Sequence, residues 1–209
     1  THVFIVDKTT FKLHLEYLFA GTGAGESVVD FNNSQRTVLH HATENNLLGM
    51  IADFQRIRRG DFIIFYVQKD GPNEGRFFGI FRAKHDLGFL DNNDSGQFLK
   101  RELQKSLTFR TLIEPYKVYS NGVTEWQALD TIGGLASYQI IWSLIYRKLK
   151  ATRGNTMITI YEAERLTQLI RDENNRAELN WQNKVLTFDS EAQKIVCLSE
   201  RPRNYTGRR

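Results

Sequence analysis

The sequence predicts an α+β protein: a small twisted β-barrel of five or six strands from Val3 to about Tyr119, flanked by helices, with a mainly helical lobe after Ser137. Two observations carry this. The runs Phe62–Val67 and Arg76–Ala83 are apolar, aromatic and β-branched, and the turn formers Lys69-Asp70-Gly71-Pro72-Asn73-Glu74 join them, so the pair reads as an antiparallel hairpin. After Ser137 the period changes, and Ile140, Ile141, Leu144, Ile145 and Leu149 form one stripe of helical spacing. The chain divides accordingly into a barrel domain over residues 1–130 and, over 131–209, a helical lobe with a short hairpin and a basic tail.

Taken in order, Val3–Val6 is a first strand, and Phe11, Leu15 and Leu18 give the next segment a helical period from Thr10 to Phe19, with Thr9 or Thr10 as N-cap. Gly21-Thr22-Gly23-Ala24-Gly25 then ends the helix. The order strand, helix, glycines is the reverse of a dinucleotide fingerprint, and no Lys-Ser/Thr follows, so the stretch is expected to be a mobile rim at the barrel mouth and not a phosphate loop. Phe31-Asn32-Asn33-Ser34 is a polar turn, and Arg36–Ile57 is helical in period. Within it His40 and Glu44 fall one turn apart, as do His41 and Asn45, but no third ligand stands at a usable spacing, so no metal site is assigned.

Gly60-Asp61 is a turn that launches the first hairpin strand. Phe62–Val67 is apolar at nearly every position, which places it centrally, covered on both faces, and Gly79 marks a bulge in the return strand. His85 to Asp94 reads as a loop that carries Phe89 without an evident packing partner. Leu99–Leu107 is a short helix, Phe109–Tyr119 a strand, Asn121-Gly122 a turn, and Trp126 beyond it belongs either to the core or to the wall of a binding cage. Thr159-Ile160-Tyr161-Glu162 is a capping box that opens a helix through Ile170. Leu179 to Val196 adds a hairpin, and the tail from Arg201 is basic and frayed.

The chain has 209 residues, of which 41% are hydrophobic, enough for one substantial core with an appended lobe. A single cysteine, Cys197, excludes an internal disulfide and a Cys-rich zinc site, and no apolar run approaches the ~20 residues of a membrane span. A cytoplasmic protein without a membrane partner is expected. The net charge of +4 is concentrated at Arg56, Arg58 and Arg59, at Arg147, Lys148, Lys150 and Arg153, and at Arg201, Arg203, Arg208 and Arg209. Such clusters are the usual electrostatic footprint for phosphate backbones. No nucleophile with its base, carboxylate pair or ligand set stands at a usable spacing, so a binding module is expected, with no catalytic residue, metal or cofactor.

The order of these motifs resembles the EVE and YTH domains of the PUA superfamily over about Val3 to Leu129. The resemblance rests on Gly60-Asp61, Phe65-Tyr66, Arg76-Phe77-Phe78-Gly79-Ile80, the polar Asp7-Lys8-Thr9-Thr10 after the first strand, and the late strand Phe109–Pro115. It implies a PUA-like barrel that reads a modified base by flipping it into a pocket, as the recognition module of a restriction-type system with a fused or partner nuclease or motor. The residues expected at the pocket are Lys8, Thr9, Asn32, Ser34, Tyr66, Phe89 and Trp126. Arg36, Arg76, Arg82 and Lys84 are expected on the nucleic-acid backbone. Phe19-Ala20-Gly21 stands where the YTH pattern has its first cage tryptophan, a departure that bears on which base is read. DNA carrying a methylated or hydroxymethylated base is the expected partner. The alternatives are an RNA reader of the YTH or PUA type and a protein-interaction module.

Overall fold

The computed structural model describes residues 1–23, 44–91, 96–130, 154–203 and 205–207. The expected hairpin is present as β3 (Phe62–Val67) and β4 (Arg76–Ala83), antiparallel from Phe62↔Arg82 to Val67↔Arg76. Its register shifts between Ile63 and Phe65, so that Ile64 alone faces Gly79 and Ile80, which is the bulge the glycine signals. The turn before β3 is held by the Asp61 carboxylate, which accepts the Arg58 N–H at 2.8 Å, and by Gly60 at φ +87°.

A strand apolar on both faces must be flanked on both edges, and β3 lies between β4 and β1 (His2–Val6). β1 runs parallel to it from His2↔Ile63 to Val6↔Val67, a pairing that demands a long crossover rather than a tight turn. The crossover contains α1 (Lys8–Tyr17), β2 (Phe19–Thr22) and α2 (Glu44–Gln55). Further along come β5 (Phe89–Leu90), α3 (Lys100–Leu103), β6 (Phe109–Pro115), β7 (Val123–Thr124), α4 (Glu125–Asp130), β8 (Asn155–Met157) and α5 (Ile160–Glu173). The main sheet has the order β2-β6-β4-β3-β1-β8, with β5 on β6 and β7 on β4. Gly154, at the start of β8, accepts the Ile5 N–H at 2.9 Å, and a Cβ on it would overlap the Thr22 side chain of β2. The two outer strands therefore approach each other, and the sheet curls into a half-barrel within a mixed α+β fold.

Alternation along the strands separates two of the three core clusters among the described residues. Phe4, Val6, Ile63, Phe65, Phe78 and Phe81 meet Phe11 and Leu15 of α1, Phe54 of α2, and Leu186, Phe188 and Ile195 of a second hairpin, β9 (Val185–Asp189) with β10 (Lys194–Leu198). Val3, Ile64, Tyr66 and Phe77 meet Ala163, Leu166 and Ile170 of α5. Residues on both sides of position 130 thus share these clusters, and β8 pairs with β1. The Thr159–Glu162 capping box opens α5 as the sequence indicates.

Several boundaries differ from the sequence reading. The N-cap of α1 is Asp7, not Thr9 or Thr10, because its carboxylate accepts the Thr10 N–H and completes a capping box with Thr10. Gly21 and Thr22 are no mobile rim; they are buried in β2, where small residues admit the neighbouring strand. The segment after Gly122 turns from β7 into α4, α3 is only one turn long, and β6 ends at Pro115. The turn at Phe31–Ser34, the pairs at His40 and His41 and the apolar stripe at Ile140–Leu149 lie outside the described residues. Among those described, no helix is long and apolar enough to cross a membrane.

Two histidines are buried in this core. His14 of α1 has no exposure, lies edge-on to Phe19 and stacks on Phe65, and burial followed by the Arg110 charge lowers its pKa to about 3. Burial likewise lowers that of His2 to about 4. An unfolded chain takes up these protons first, near pH 6.5, so stability falls as the pH drops from there toward the folded values. Between pH 7 and pH 5 His14 alone is expected to remove about 2 kcal/mol. Urea unfolding of the protein and of His14→Leu at both pH values checks this, because the variant's loss should be smaller by that amount. A second expectation follows from the curl. Gly154→Ala should cost about 1–3 kcal/mol, and pairing it with Thr22→Ala should recover part of the loss in the same assay.

Candidate functional site

The chain leaves β1 at Val6 and turns into α1 at Asp7, and beside this corner a cleft of about 770 Å³ opens. One wall is Ile5, Val6, Asp7 and Thr10, the second is Gly21, Thr22 and Gly23 of β2 and its end, and the third is Lys100, Gln104, Lys105, Ser106 and Leu107. Gln68, whose N–H donates to Val6 at 2.8 Å, stands at the end of β3, and His14 lines the cleft with neither ring nitrogen hydrogen-bonded.

Asp7 is doubly engaged. Its carboxylate accepts the Thr10 N–H at 2.8 Å and pairs with the Lys105 ammonium across the cleft. Burial alone would raise its pKa, but hydrogen bonds from Lys105 and Thr10 outweigh this and hold it below the usual carboxylate range. The cleft therefore presents an Asp7–Lys105 ion pair, an exposed amide at Gln68 and the Lys100 side chain, with exposed Arg101 beside Lys100 in the chain.

The wall bearing those cations has four residues of helix and would not hold its shape unaided. Arg110 of β6 holds it. Fully buried, it donates from Nε to Leu107 at 2.8 Å, from Nη2 to Phe98 at 2.7 Å and from Nη1 to the Tyr205 hydroxyl at 3.2 Å, and it pairs with buried Asp91 at 3.5 Å. Gln97 adds a second tie, accepting the Leu107 N–H at 3.1 Å and donating to the Asp91 carbonyl at 2.9 Å. Tyr205 lies flat on Phe98, 4.3 Å between ring centres, with its edge toward Phe19. A buried guanidinium is tolerable only when its donors are met, so these contacts fix segment 97–110 against the barrel.

The residues expected at a pocket are not gathered into one. Lys8 and Thr9 sit exposed on the first turn of α1, just outside the cleft, and Lys8 pairs with Asp70 at 2.6 Å. Tyr66 points to the opposite face of the sheet, where its hydroxyl donates to Glu125 at 2.6 Å. Phe89 has packing partners after all, Tyr205 and its cluster. Trp126 is 50% exposed on α4, so it is neither core nor a wall of this cleft. Asn32, Ser34 and Arg36 lie outside the described residues. Of the expected backbone contacts, Arg76 donates to the Gly122 carbonyl at 3.1 Å, whereas Arg82 and Lys84 lie at the far end of β4.

The sequence reading named Asp7 only within the polar stretch Asp7–Thr10 and passed over Gln68, His14 and the cations of 100–105. The Asp7-x-x-Thr10 spacing was a usable capping signal; nothing local announces that segment 97–110 closes onto α1. Among the described residues no group of three or more metal-ligating side chains comes together.

No protein-family model matches the chain, and no curated protein matches it. Among solved structures it is similar to Rpa0253 of Rhodopseudomonas palustris, determined by NMR, with 15% sequence identity and a TM-score of 0.41 over 81% of this chain and 91% of that one. A likeness at that score transfers neither residue roles nor an activity to this chain.

Proposed function

We propose that the chain is a nucleic-acid-binding domain of PUA-like fold that reads a methylated or hydroxymethylated base in DNA, drawing the base out of the stack into the cleft beside α1. The observation that carries this reading is the position of the cleft. It opens at Asp7-Lys8-Thr9-Thr10, the segment in which the EVE and YTH families have base-contacting residues, and Lys100 and Lys105 line it, with exposed Arg101 next to Lys100 in the chain. Its volume falls in the range of roughly 300–1,000 Å³ that small-molecule sites occupy.

Extruding a base costs a few kcal/mol, which the pocket must offset. His14 is the one aromatic ring lining the described cleft, so the return comes mainly from polar edges and from burial against Ile5, Val6 and Leu107. The ionised Asp7 accepts from an exocyclic amino group, which disfavours thymine and uracil, the bases that lack one. Lys100 and Arg101 hold phosphates beside the cleft, while Lys105 stays on Asp7. In this reading the domain supplies recognition, and cleavage or translocation belongs to a fused or partner segment.

Titration of matched duplexes, plain and carrying each common modified base, alongside single-stranded RNA of the same sequence tests the proposal. A preference of at least threefold, about 0.7 kcal/mol, for one modified duplex is expected; a smaller preference for all of them removes the modified-base claim. Tighter RNA binding at equal salt replaces it with an RNA reader. Gln68→Ala should erase the base preference with the salt dependence unchanged. Arg101→Gln should weaken all duplexes alike and flatten the slope of log K against log salt by about one.

A further inference from the structure

At the other end of the sheet, Arg82 is held in an unusual way. Its guanidinium lies 3.5 Å over the Tyr116 ring and 5.5 Å from the centre of Phe62, two rings that are themselves stacked at 18°. Stacking occupies the face of the guanidinium and leaves its in-plane N–H donors unused. Nε is buried with no acceptor, and Glu114, directly opposite in register, makes no ion pair with it. The neighbouring carboxylates are engaged elsewhere: Asp61 accepts the Arg58 N–H at 2.8 Å and Asp86 the Arg59 N–H at 2.9 Å. Around Arg82 stand exposed Lys84, exposed Arg59 and half-buried Lys117, whose ammonium is 5.5 Å from the Tyr116 ring centre. Backbone hydrogen bonds lock the two loops that carry Arg59 and Lys84 together, from Gly60 to Ala83 at 2.8 Å and from Ala83 to Asp61 at 2.9 Å.

We infer that this end is a second anion-binding surface, centred on Arg82, that takes a phosphodiester of nucleic acid remote from the base held in the cleft. A planar guanidinium fixed by stacking is preorganised for two phosphate oxygens, and the flanking cations suit a polyanion better than a single carboxylate. Arg82 pairs with the first residue of β3 and the cleft adjoins the last, so the two sites are about five residues apart along the strand, roughly 17 Å. A ligand confined to the cleft does not reach Arg82, whereas a duplex several base pairs longer does. The choice of nucleic acid as partner rests on the proposed function; the anion chemistry does not.

Binding of a tetranucleotide and of a duplex of roughly 16 base pairs, each over a salt series, separates the two ideas. Arg82→Gln is expected to weaken the duplex about fivefold at low salt and to lower its salt slope by about one, with the tetranucleotide unaffected. Arg82→Lys should recover only part, because it keeps the charge and loses the stacked plane. Lys84→Gln should act in the same direction as Arg82→Gln. Unchanged duplex binding in Arg82→Gln overturns the inference while leaving the cleft reading intact. A duplex that binds through Arg82 without any base preference overturns the cleft reading instead, and no binding of either probe to the unaltered protein ends both.

Discussion

Phe62–Val67 offers water nothing but one tyrosine hydroxyl, and a strand of that composition survives only when both of its faces and both of its edges are covered. Each layer of the molecule answers that demand. β4 and β1 take the edges; α1, α2 and the β9–β10 hairpin cover one face, and α5 covers the other. The aromatic density of the first face, with Phe11 within 5.2 Å of both Phe65 and Phe78 and 5.0 Å of Phe188, ties residues nearly 180 positions apart into one packed unit. Polar side chains are buried among these rings as well. Glu16 is one, and it is satisfied by the Thr187 hydroxyl at 2.8 Å and by Arg203 at 2.9 Å.

The cleft is a by-product of how this sheet curls. Parallel pairing of β1 with β3 brings the ends of both strands to one rim, and the turn into α1 places a helix start there, with Asp7 as its cap. A helix start with an anionic cap would by itself repel phosphate. Lys105 neutralises Asp7 from across the gap, and Arg110, through Leu107 and Phe98, keeps Lys105 where it can do so. One buried cation thus sets the electrostatics of a surface it never touches.

How much of this was legible depended on sequence distance. The hairpin, its bulge at Gly79, the central place of β3, the capping box at Thr159 and the second hairpin are each encoded in one short continuous stretch, and short-range pattern suffices for them. The site was not local. The family resemblance put Tyr66 at a pocket, yet strand alternation sends it to the α5 face while its neighbours Phe65 and Val67 face α1. Phe89 looked unpartnered because its partner, Tyr205, is more than a hundred residues away in a tail that reads as frayed. A short helix at Leu99–Leu107 was legible, but not that Lys100 and Lys105 line a cleft beside α1, since the position of that segment is set by Arg110.

The Tyr205 hydroxyl on Arg110 has a consequence for the order in which the molecule becomes competent. During synthesis the β3–β4 hairpin is available early, and β6 can add to β4 soon after; β8, the neighbour of β1, emerges some ninety residues later than β3. The acceptor that completes the Arg110 network comes later still, near residue 205. A nascent chain can therefore hold Arg110 on Leu107, Phe98 and Asp91 before the tail adds Tyr205, and non-local closure of this kind is the slow part of folding. The last tie on the wall of the cleft is made by a residue that does not line it.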